Sequence, residues 1–345
     1  METLNPVRGL PKLVDYSQEG QALILQQLIT PDVPRIVVDI GAHDGLISSN
    51  SRGLLLQGWH GLLVEPVPAV FQKLVENCSE FRNVECVSVA CSDSDGSAEI
   101  FLGRDRADGQ LASISREPEV VANLGDRSFQ VATQSLPTLL STHDIPHDFG
   151  VLLIDTEGLD LTVLRGLKGA RWRPRIIVTE ELAATNPEKY ALLAMLDYRF
   201  AGVWGSDSIW VAKTHPASLT SLRYPSNALQ PTWKPSGQHI SWEVGVFDGV
   251  TRCGTKAFGW AFLEGHVPTE TAVILQFDNQ DTCERSILQA WRFPRLDVCN
   301  SLGRKDVLFS GYRAFHNLRP GSYQLTVIQQ TDQQYATSFP TLVTI

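Results

Sequence analysis

Short apolar runs alternate with stretches of helical spacing along the first two thirds of the chain. Four apolar runs, the first of them rich in β-branched residues, are typical of strands buried in a parallel sheet. These runs are Ile36–Ile40, Gly61–Val64, Val151–Ile154 and Arg175–Thr179. Helical spacing is found in Leu46–Gln57, Ala69–Asn77, Leu136–Ser141, Leu161–Leu167 and Pro187–Leu196. The alternation predicts an α/β fold, with a mostly parallel sheet and helices on both faces.

Further segments complete this pattern. Ser17 is a candidate N-cap for a helix that ends near Ile29. Alternating positions predict a third strand at Val84–Ala90. Ala98–Leu102 and Ser128–Thr133 are candidate antiparallel strands, and Phe200–Trp204 and Ser208–Val211 are expected to form a final strand pair. Residues 103–127 are long, charged and without periodicity, which favours a lid, a binding loop or disorder. Four arginines in or beside this segment could bind an anionic acceptor, namely Arg104, Arg106, Arg116 and Arg127.

The character of the sequence changes after Lys213. Residues 214–238 are rich in Pro, Ser and Thr and predict a linker. From His239 onward the helical spacing ends, and short strands between turn residues predict a small all-β sandwich. The predicted strands are Trp242–Val246, Ala257–Phe262, Ala272–Phe277, Ser286–Phe293, Tyr312–Phe315, Ser322–Gln329 and Ser338–Val343. The expected domains are residues 1–213 and 239–345, joined by the linker.

Composition narrows the classes of function. The net charge of −9 over 345 residues argues against a broad nucleic-acid surface, which needs clustered Lys and Arg. No window approaches the ~18 continuous apolar residues of a transmembrane helix, and the first residues lack the apolar segment of a secretory signal. The 6 cysteines include no C-x-x-C pair, so we expect free thiols in a reducing cytoplasm.

Candidate chemistry concentrates in DIGAHDG, which contains the end of the first strand. Asp39 lies at the carboxyl end of that strand, where open α/β sheets bind ligands, and Gly41 and Gly45 permit a tight turn. A dinucleotide fingerprint places G-x-G-x-x-G around a pyrophosphate, whereas this spacing is G-x-x-x-G with Asp44 inside the turn. Because a carboxylate repels phosphate and attracts ammonium or sulfonium, the turn favours S-adenosylmethionine. A structural turn without a nucleotide is the alternative.

A second acid, Glu65, follows the second strand. It comes one helix and one strand after the glycine turn, where a carboxylate binds ribose hydroxyls in nucleotide-binding sheets. We therefore expect Glu65 to accept hydrogen bonds from the ribose of the cofactor.

Six segments taken in order resemble the FkbM-type methyltransferases over roughly residues 17–213. They are DIGAHDG, GLLVEP, VACSDSDG, SLPTLL, LLIDTEGLDLTVLRGL and IIVTE. These Rossmann-like enzymes use S-adenosylmethionine and often methylate a hydroxyl of a sugar or of a sugar-bearing molecule. The resemblance implies cofactor contacts from Asp39, Gly41, Asp44, Gly45, Glu65, Ser92 and Asp93. For Ser92 and Asp93 a simple turn before the next strand is the alternative.

Methyl transfer to a hydroxyl also needs a proton acceptor, which a carboxylate or a histidine can provide. The candidate catalytic residues are Asp155, Glu157, Glu180 and His43, with Glu181 and His143 as further candidates. The acids follow adjacent predicted strands, so they should face one crevice, and their mutual repulsion would raise a pKa. Such acids could also bind a divalent cation, but no ligand motif supports a metal and none is predicted.

Four C-terminal segments, FGWAF, RLDVC, SGYRAF and PGSYQLTVI, resemble a β-sandwich module appended to bacterial sugar-processing enzymes. Together these features predict an S-adenosylmethionine-dependent O-methyltransferase that acts on a carbohydrate or a glycan-linked acceptor. An NAD-dependent oxidoreductase and a non-catalytic glycan-binding or interaction protein are the alternatives. The sequence does not determine the oligomeric state, and a homo-oligomer is one possibility.

Overall fold

The computed structural model describes residues 14–103, 112–115, 118–183, 185–217, 219, 222, 227–229, 241–247, 255–262, 266–302, 304–316, 318–330, 335–337 and 341–344. The chain forms two compact units, one of residues Tyr16–Leu222 and one that joins Met1–Asp15 with Arg223–Ile345. The boundaries expected from the sequence, at residues 213 and 238, stay a prediction.

The first unit alternates helices and strands. Its helices are α1 (Gln21–Leu28), α2 (Arg52–Leu55), α3 (Pro68–Cys78), α4 (Pro118–Val121), α5 (Leu136–Thr142), α6 (Asp160–Arg165) and α7 (Asn186–Met195). Its strands are β1 (Ile36–Ile40), β2 (His60–Val64), β3 (Val84–Val87), β4 (Ala90–Ser92), β5 (Gly96–Gly103), β6 (Ala112–Ser113), β7 (Leu124–Ser135), β8 (Val151–Ile154), β9 (Ile176–Glu180), β10 (Tyr198–Trp204) and β11 (Asp207–Ala212).

A seven-stranded sheet with the order β10-β11-β9-β8-β1-β2-β3 forms the centre of this unit. The five strands from β9 to β3 are parallel, and β10 and β11 are antiparallel to their neighbours. Helices α5, α6 and α7 pack on the face that carries Val38 and Leu62. Leu55 of α2 and Leu74 of α3 lie near Leu63, which points to the opposite face. The predicted α/β fold, with helices on both faces, is confirmed.

The prediction of a helix over Leu46–Gln57 is wrong for the first half of that range. Only α2 is helical, because the preceding polar residues use their side chains to satisfy the backbone locally. The Asp44 carboxylate accepts hydrogen bonds from the N–H groups of Leu46 and Ile47. Ser48 adopts a positive φ of 57°, and the Ser49 hydroxyl accepts from the N–H of Arg52.

Two other boundaries differ from the predictions. Helix α1 begins at Gln21, not at the predicted cap, because Ser17 accepts a hydrogen bond from the N–H of Gly20 in a preceding turn. The strand predicted at Val84–Ala90 is divided between two sheets. β3 ends at Val87 and pairs with β2, whereas β4 begins at Ala90 and pairs with β7.

A smaller sheet with the order β4-β7-β5-β6 covers one side of the first unit. β5 and β7 are antiparallel, which confirms the pairing predicted for residues 98–102 and 128–133. Ile100 and Val131 of this sheet pack against Val67 and Val70 at the start of α3. Arg127 is exposed on β7, and the predicted anion-binding residues Arg104, Arg106 and Arg116 lie outside the described residues.

The second unit is built from antiparallel strands. They are β12 (Asn227–Leu229), β13 (Ser241–Phe247), β14 (Thr255–Phe262), β15 (Ala272–Asn279), β16 (Arg285–Phe293), β17 (Gly311–His316), β18 (Ser322–Gln330), β19 (Tyr335–Thr337) and β20 (Thr341–Thr344). The first part of β16 pairs with β12 and β15, and its end pairs with β17. One strand therefore links two groups of strands, and the predicted all-β module is present as one curled, continuous sheet.

A buried arginine organises the core of the second unit. The Arg292 guanidinium donates to the carbonyl oxygens of Ala261 and Ser310 and to the side chain of Gln329. These acceptors come from separate elements, which the buried Arg292 side chain joins. Helix α8 (Leu296–Leu302) follows β16 and contradicts the expectation of a region without helices.

No helix in the part of the chain that the structure describes is long and apolar enough to cross a membrane.

Candidate functional site

A cavity opens at the carboxyl ends of the parallel strands β1, β2 and β8. Its volume is about 1250 Å³, including the part that is open to solvent. Parallel pairing brings these strand ends to one edge of the sheet, where α/β proteins bind ligands. The cavity therefore has the position and the size of a cofactor site.

Asp39 and Glu65 place two buried carboxyl groups on the cavity wall. They are 7% and 5% exposed, respectively. Burial raises the pKa of Asp39 to about 6, against a hydrogen bond from Ser51 that lowers it. Burial also raises the pKa of Glu65 to about 7, although its Oε1 accepts a hydrogen bond of 2.7 Å from the N–H of Val67. A ligand that binds the ionised carboxylates would relieve this unfavourable burial.

Gly41 allows two backbone segments to cross beneath the cavity. Its φ is 87°, and a Cβ atom added there would lie 1.8 Å from the carbonyl oxygen of Asp155. The N–H of Gly41 donates to the carbonyl of Val64, and the N–H of Asp155 donates to the carbonyl of Ile40. These bonds tie together the segments that leave β1, β2 and β8, so Gly41 is required for the shape of the cavity floor.

Asp44 and Gly45 belong to the glycine turn but do not line the cavity. A Cβ on Gly45 would lie 2.6 Å from Leu74, so this glycine allows α3 to pack closely on the turn. Burial alone would raise the pKa of Asp44, but hydrogen bonds from His43, Ile47 and Leu46 bring it below its usual range. The Asp44 carboxylate therefore stabilises the turn by accepting hydrogen bonds from it. His43 does line the cavity, at a positive φ of 49°.

The predicted catalytic acids gather at the ends of β8 and β9. Asp155 and Glu157 line the cavity, and the Asp155 side chain is exposed to it. Desolvation, with repulsion from Glu180 and Glu157, raises the pKa of Asp155 well above the usual range. Burial and repulsion from neighbouring acids raise the pKa of Glu180 to about 8. Such groups can hold a proton near neutral pH.

Asp207 joins this group and was missed by the sequence analysis. It begins β11, lies opposite Glu180 in the antiparallel pair and lines the cavity. Burial raises its pKa to about 6, and a hydrogen bond of 3.0 Å from the Asn50 amide lowers it. The predicted strand began at Ser208, one residue too late to include this acid. Only the pairing of β11 with β9 brings this acid to the site, and no sequence pattern marks that pairing.

Asp160 clamps the segments that carry these acids. One carboxylate oxygen accepts from the N–H and the hydroxyl of Thr156, at 2.9 and 2.6 Å. The other accepts from the Thr179 hydroxyl and the Glu180 N–H, at 2.7 and 3.0 Å. The residue is 5% exposed. Asp160 thus fixes the ends of β8 and β9 relative to each other.

We expect Asp160→Asn to lower the free energy of unfolding by about 2 kcal/mol, because its amide group would face two donors that it cannot satisfy. Urea denaturation measures the change. Asp148→Asn is the control, since Asp148 forms an exposed ion pair with Arg175 and should cost less than about 1 kcal/mol. Equal effects in the two variants would contradict the proposed clamp.

The apolar part of the cavity wall comes from the smaller sheet and the segment before it. Val89, Cys91 and Ile100 lie there, with Ala112 and Ile114. Ser92 and Asp93 lie just beyond this wall and do not line the cavity, and Asp93 is exposed. Their predicted contact with the cofactor stays a prediction.

The two further catalytic candidates lie away from the cavity wall. His143 is 2.9 Å from the carboxylate of Glu85 at the edge of the sheet. Glu181 accepts hydrogen bonds from Asn186 and Tyr190. Within the described residues, no group of three or more His, Cys, Asp or Glu side chains has a geometry that could hold a metal ion.

Comparison with known proteins finds one family match, which lies within the first unit. Residues 39–200 match the family described as "Methyltransferase FkbM domain", and no curated protein matches the chain. Among solved structures, a precorrin-6y C5,15-methyltransferase from Geobacter metallireducens GS-15 is similar, with 13% sequence identity and a TM-score of 0.31 over 83% of this chain and 95% of that chain. The family match begins at Asp39 and ends in β10, so residues 39–200 are identified as an FkbM-type methyltransferase domain.

Proposed function

We propose that the protein is an S-adenosylmethionine-dependent O-methyltransferase whose acceptor is a hydroxyl of a carbohydrate or of a glycan-linked molecule. One observation carries this proposal. A single cavity combines a buried carboxylate after β2, suited to a ribose, with a separate group of acids after β8, suited to a proton transfer.

The residues on the cavity wall fit the proposed cofactor. Glu65 would accept hydrogen bonds from the ribose hydroxyls, and Asp39 would attract the ammonium group. Val89, Cys91 and Ile100 would contact the adenine ring. When bound, S-adenosylmethionine supplies an electrophilic methyl group. Asp44 and Gly45 would contribute through the shape of the turn, since neither lines the cavity.

The acids after β8 and β9 would orient the acceptor and receive its proton. Asp155 and Glu157 line the cavity, and Glu180 stands beside them. A proton acceptor works best when its pKa lies near the working pH, and the pKa of Glu180, about 8, meets that condition. His43, which lies within the glycine turn and lines the cavity, is a second candidate for the same role.

The charge of the cavity indicates an acceptor without negative charge. The described lining residues include five acids and no Lys or Arg; the acids are Asp39, Glu65, Asp155, Glu157 and Asp207. A phosphate or a uronate would be repelled by these groups. We therefore expect neutral sugars to be methylated in preference to their uronate or phosphate derivatives. A labelled-methyl assay with matched acceptors tests this order, and preference for the anionic acceptors would contradict it.

The cofactor assignment is tested by thermal unfolding with S-adenosylmethionine, S-adenosylhomocysteine and NAD in parallel. A ligand at ~100 times its dissociation constant stabilises a protein by ~2.7 kcal/mol. The proposal predicts stabilisation by the first two compounds. Stabilisation by NAD alone would favour the oxidoreductase instead. Cofactor binding without methyl transfer to any glycan acceptor would favour a non-catalytic binding protein.

Cofactor affinity should depend on pH because the ligand requires ionised carboxylates. The pKa of Glu65 is raised to about 7 by burial, so this group is increasingly protonated below that pH. We expect the dissociation constant of S-adenosylhomocysteine to rise about tenfold per pH unit below pH 7 and to level off above it. Calorimetric titration between pH 5.5 and about 8.5 measures this. A pH-independent affinity would contradict the assigned role of Glu65.

We further propose that the reaction takes place in a reducing cytoplasm. The described cysteines, Cys78, Cys86, Cys91, Cys283 and Cys299, are free thiols, and thiols persist in that compartment. Loss of activity under reducing conditions would argue against this placement.

A further inference from the structure

Lys189 in α7 is a buried cation that the proposed reaction does not use. Its side chain is fully buried, with a relative exposure of 0%. Lysine is almost never fully buried unless it is paired, because its ammonium loses its hydration. The groups that pair with the Lys189 ammonium therefore indicate its role.

Both partners of Lys189 lie in the turn that follows β9. The ammonium donates to the backbone carbonyl of Glu180 and lies 3.3 Å from Oε1 of Glu181. Glu181 is itself fixed, because its Oε2 accepts from the Asn186 amide at 2.6 Å and the Tyr190 hydroxyl at 2.8 Å. Lys189 thus holds the Glu180–Glu181 turn against α7.

Glu180 lies among acidic side chains from three neighbouring elements. Glu157 and Asp155 come from the segment after β8, Asp160 from α6 and Asp207 from β11. Lys189 opposes them from α7 and lowers the pKa of Glu180 and Asp207, which burial and repulsion raise. Without a nearby positive charge, these carboxylates would stay protonated over more of the pH range.

We propose that Lys189 is a positioning residue: its ammonium fixes the Glu180–Glu181 turn and supplies the counter-charge that keeps the acids at the ends of β8 and β9 able to accept a proton. This inference rests on the proposed function, in which Glu180 and its neighbours receive the acceptor proton. Because Lys189 lies behind the turn, it acts through Glu180.

The test measures the titration midpoint of Glu180 in the full chain without cofactor. Carboxyl ¹³C NMR on protein labelled at glutamate gives the midpoint, and Glu180→Gln identifies the signal. Lys189→Met and Glu181→Gln are compared. Both variants break the same ion pair, but the first removes a positive charge and the second a negative charge. A purely structural ion pair would leave the midpoint unmoved in both variants.

We expect Lys189→Met to raise the midpoint by about one pH unit and Glu181→Gln to lower it. In methyl-transfer assays the rising limb of the pH profile should shift in the same directions. A folded Lys189→Met protein with the wild-type midpoint would overturn the inference. If that variant does not fold, Glu181→Gln decides, and a midpoint that stays or rises overturns it.

The proposed function fails separately from this inference. Absence of methyl transfer by the wild-type protein to every sugar acceptor would overturn the proposed function. The titration, which needs neither cofactor nor acceptor, would still report on Lys189.

Discussion

Glu65→Gln is expected to stabilise the protein without cofactor while weakening cofactor binding about 100-fold. Gln keeps the oxygen that accepts from the Val67 N–H but removes the charge. In the native fold burial raises the pKa of Glu65 from 4.5 to about 7. Above pH 7 the fold must keep a buried carboxylate ionised, whereas the unfolded chain ionises freely. This difference costs up to about 3 kcal/mol, which the variant recovers.

The sign of the pH dependence separates this effect from general stabilisation. The gain should be largest near pH 8 and should shrink as the pH falls toward 4.5, the usual pKa of glutamate, where both states bind the proton. Urea denaturation at several pH values measures it. A cofactor concentration that stabilises wild type by ~2.7 kcal/mol should stabilise the variant by only about 0.4 kcal/mol. A variant that is less stable at pH 8, or that binds cofactor normally, would contradict the assignment.

Gly41→Ala is expected to lower the free energy of unfolding by more than about 4 kcal/mol. The new Cβ would lie 1.8 Å from the carbonyl oxygen of Asp155 and 2.8 Å from its carbon, both of which are backbone atoms. Relief of this overlap must separate the segments after β1 and β8, which would deform the cavity. Any folded fraction should therefore also bind cofactor weakly.

Gly58→Ala isolates the effect of the overlap from that of backbone strain. Gly58 has a φ of 82°, close to the 87° of Gly41, but a Cβ there would meet nothing within 4 Å. The strain alone should cost about 1–2 kcal/mol. Urea midpoints of the two variants give the comparison. Similar losses in both would show that the crossing at Asp155 is not required.

The central strands could be predicted from the sequence because their residues leave few alternatives. The β-branched run of β1 and the apolar run of β8 are typical of buried strands, and the structure has both where they were expected. Glu65 and Asp155 then follow from the rule that ligands bind where parallel strands end. Local pattern and parallel topology were sufficient for this part of the site.

The remaining features depend on contacts between distant residues. The segment Leu46–Ser51 contains residues that can extend a helix, and the side chains of Asp44 and Ser49 decide otherwise by capping backbone groups. Asp207 enters the site only because β11 pairs with β9. Neither the side-chain capping nor the strand pairing produces a periodic pattern in the sequence. The same holds for α8 in the second unit, a helix within a region of strands.

The most direct test is a crystal structure of the protein with S-adenosylhomocysteine. The account predicts the ribose hydroxyls within hydrogen-bond distance of Glu65, the adenine against Val89 and Cys91, and the sulfur facing Asp155. A cavity filled by side chains, with the compound bound elsewhere, would contradict it.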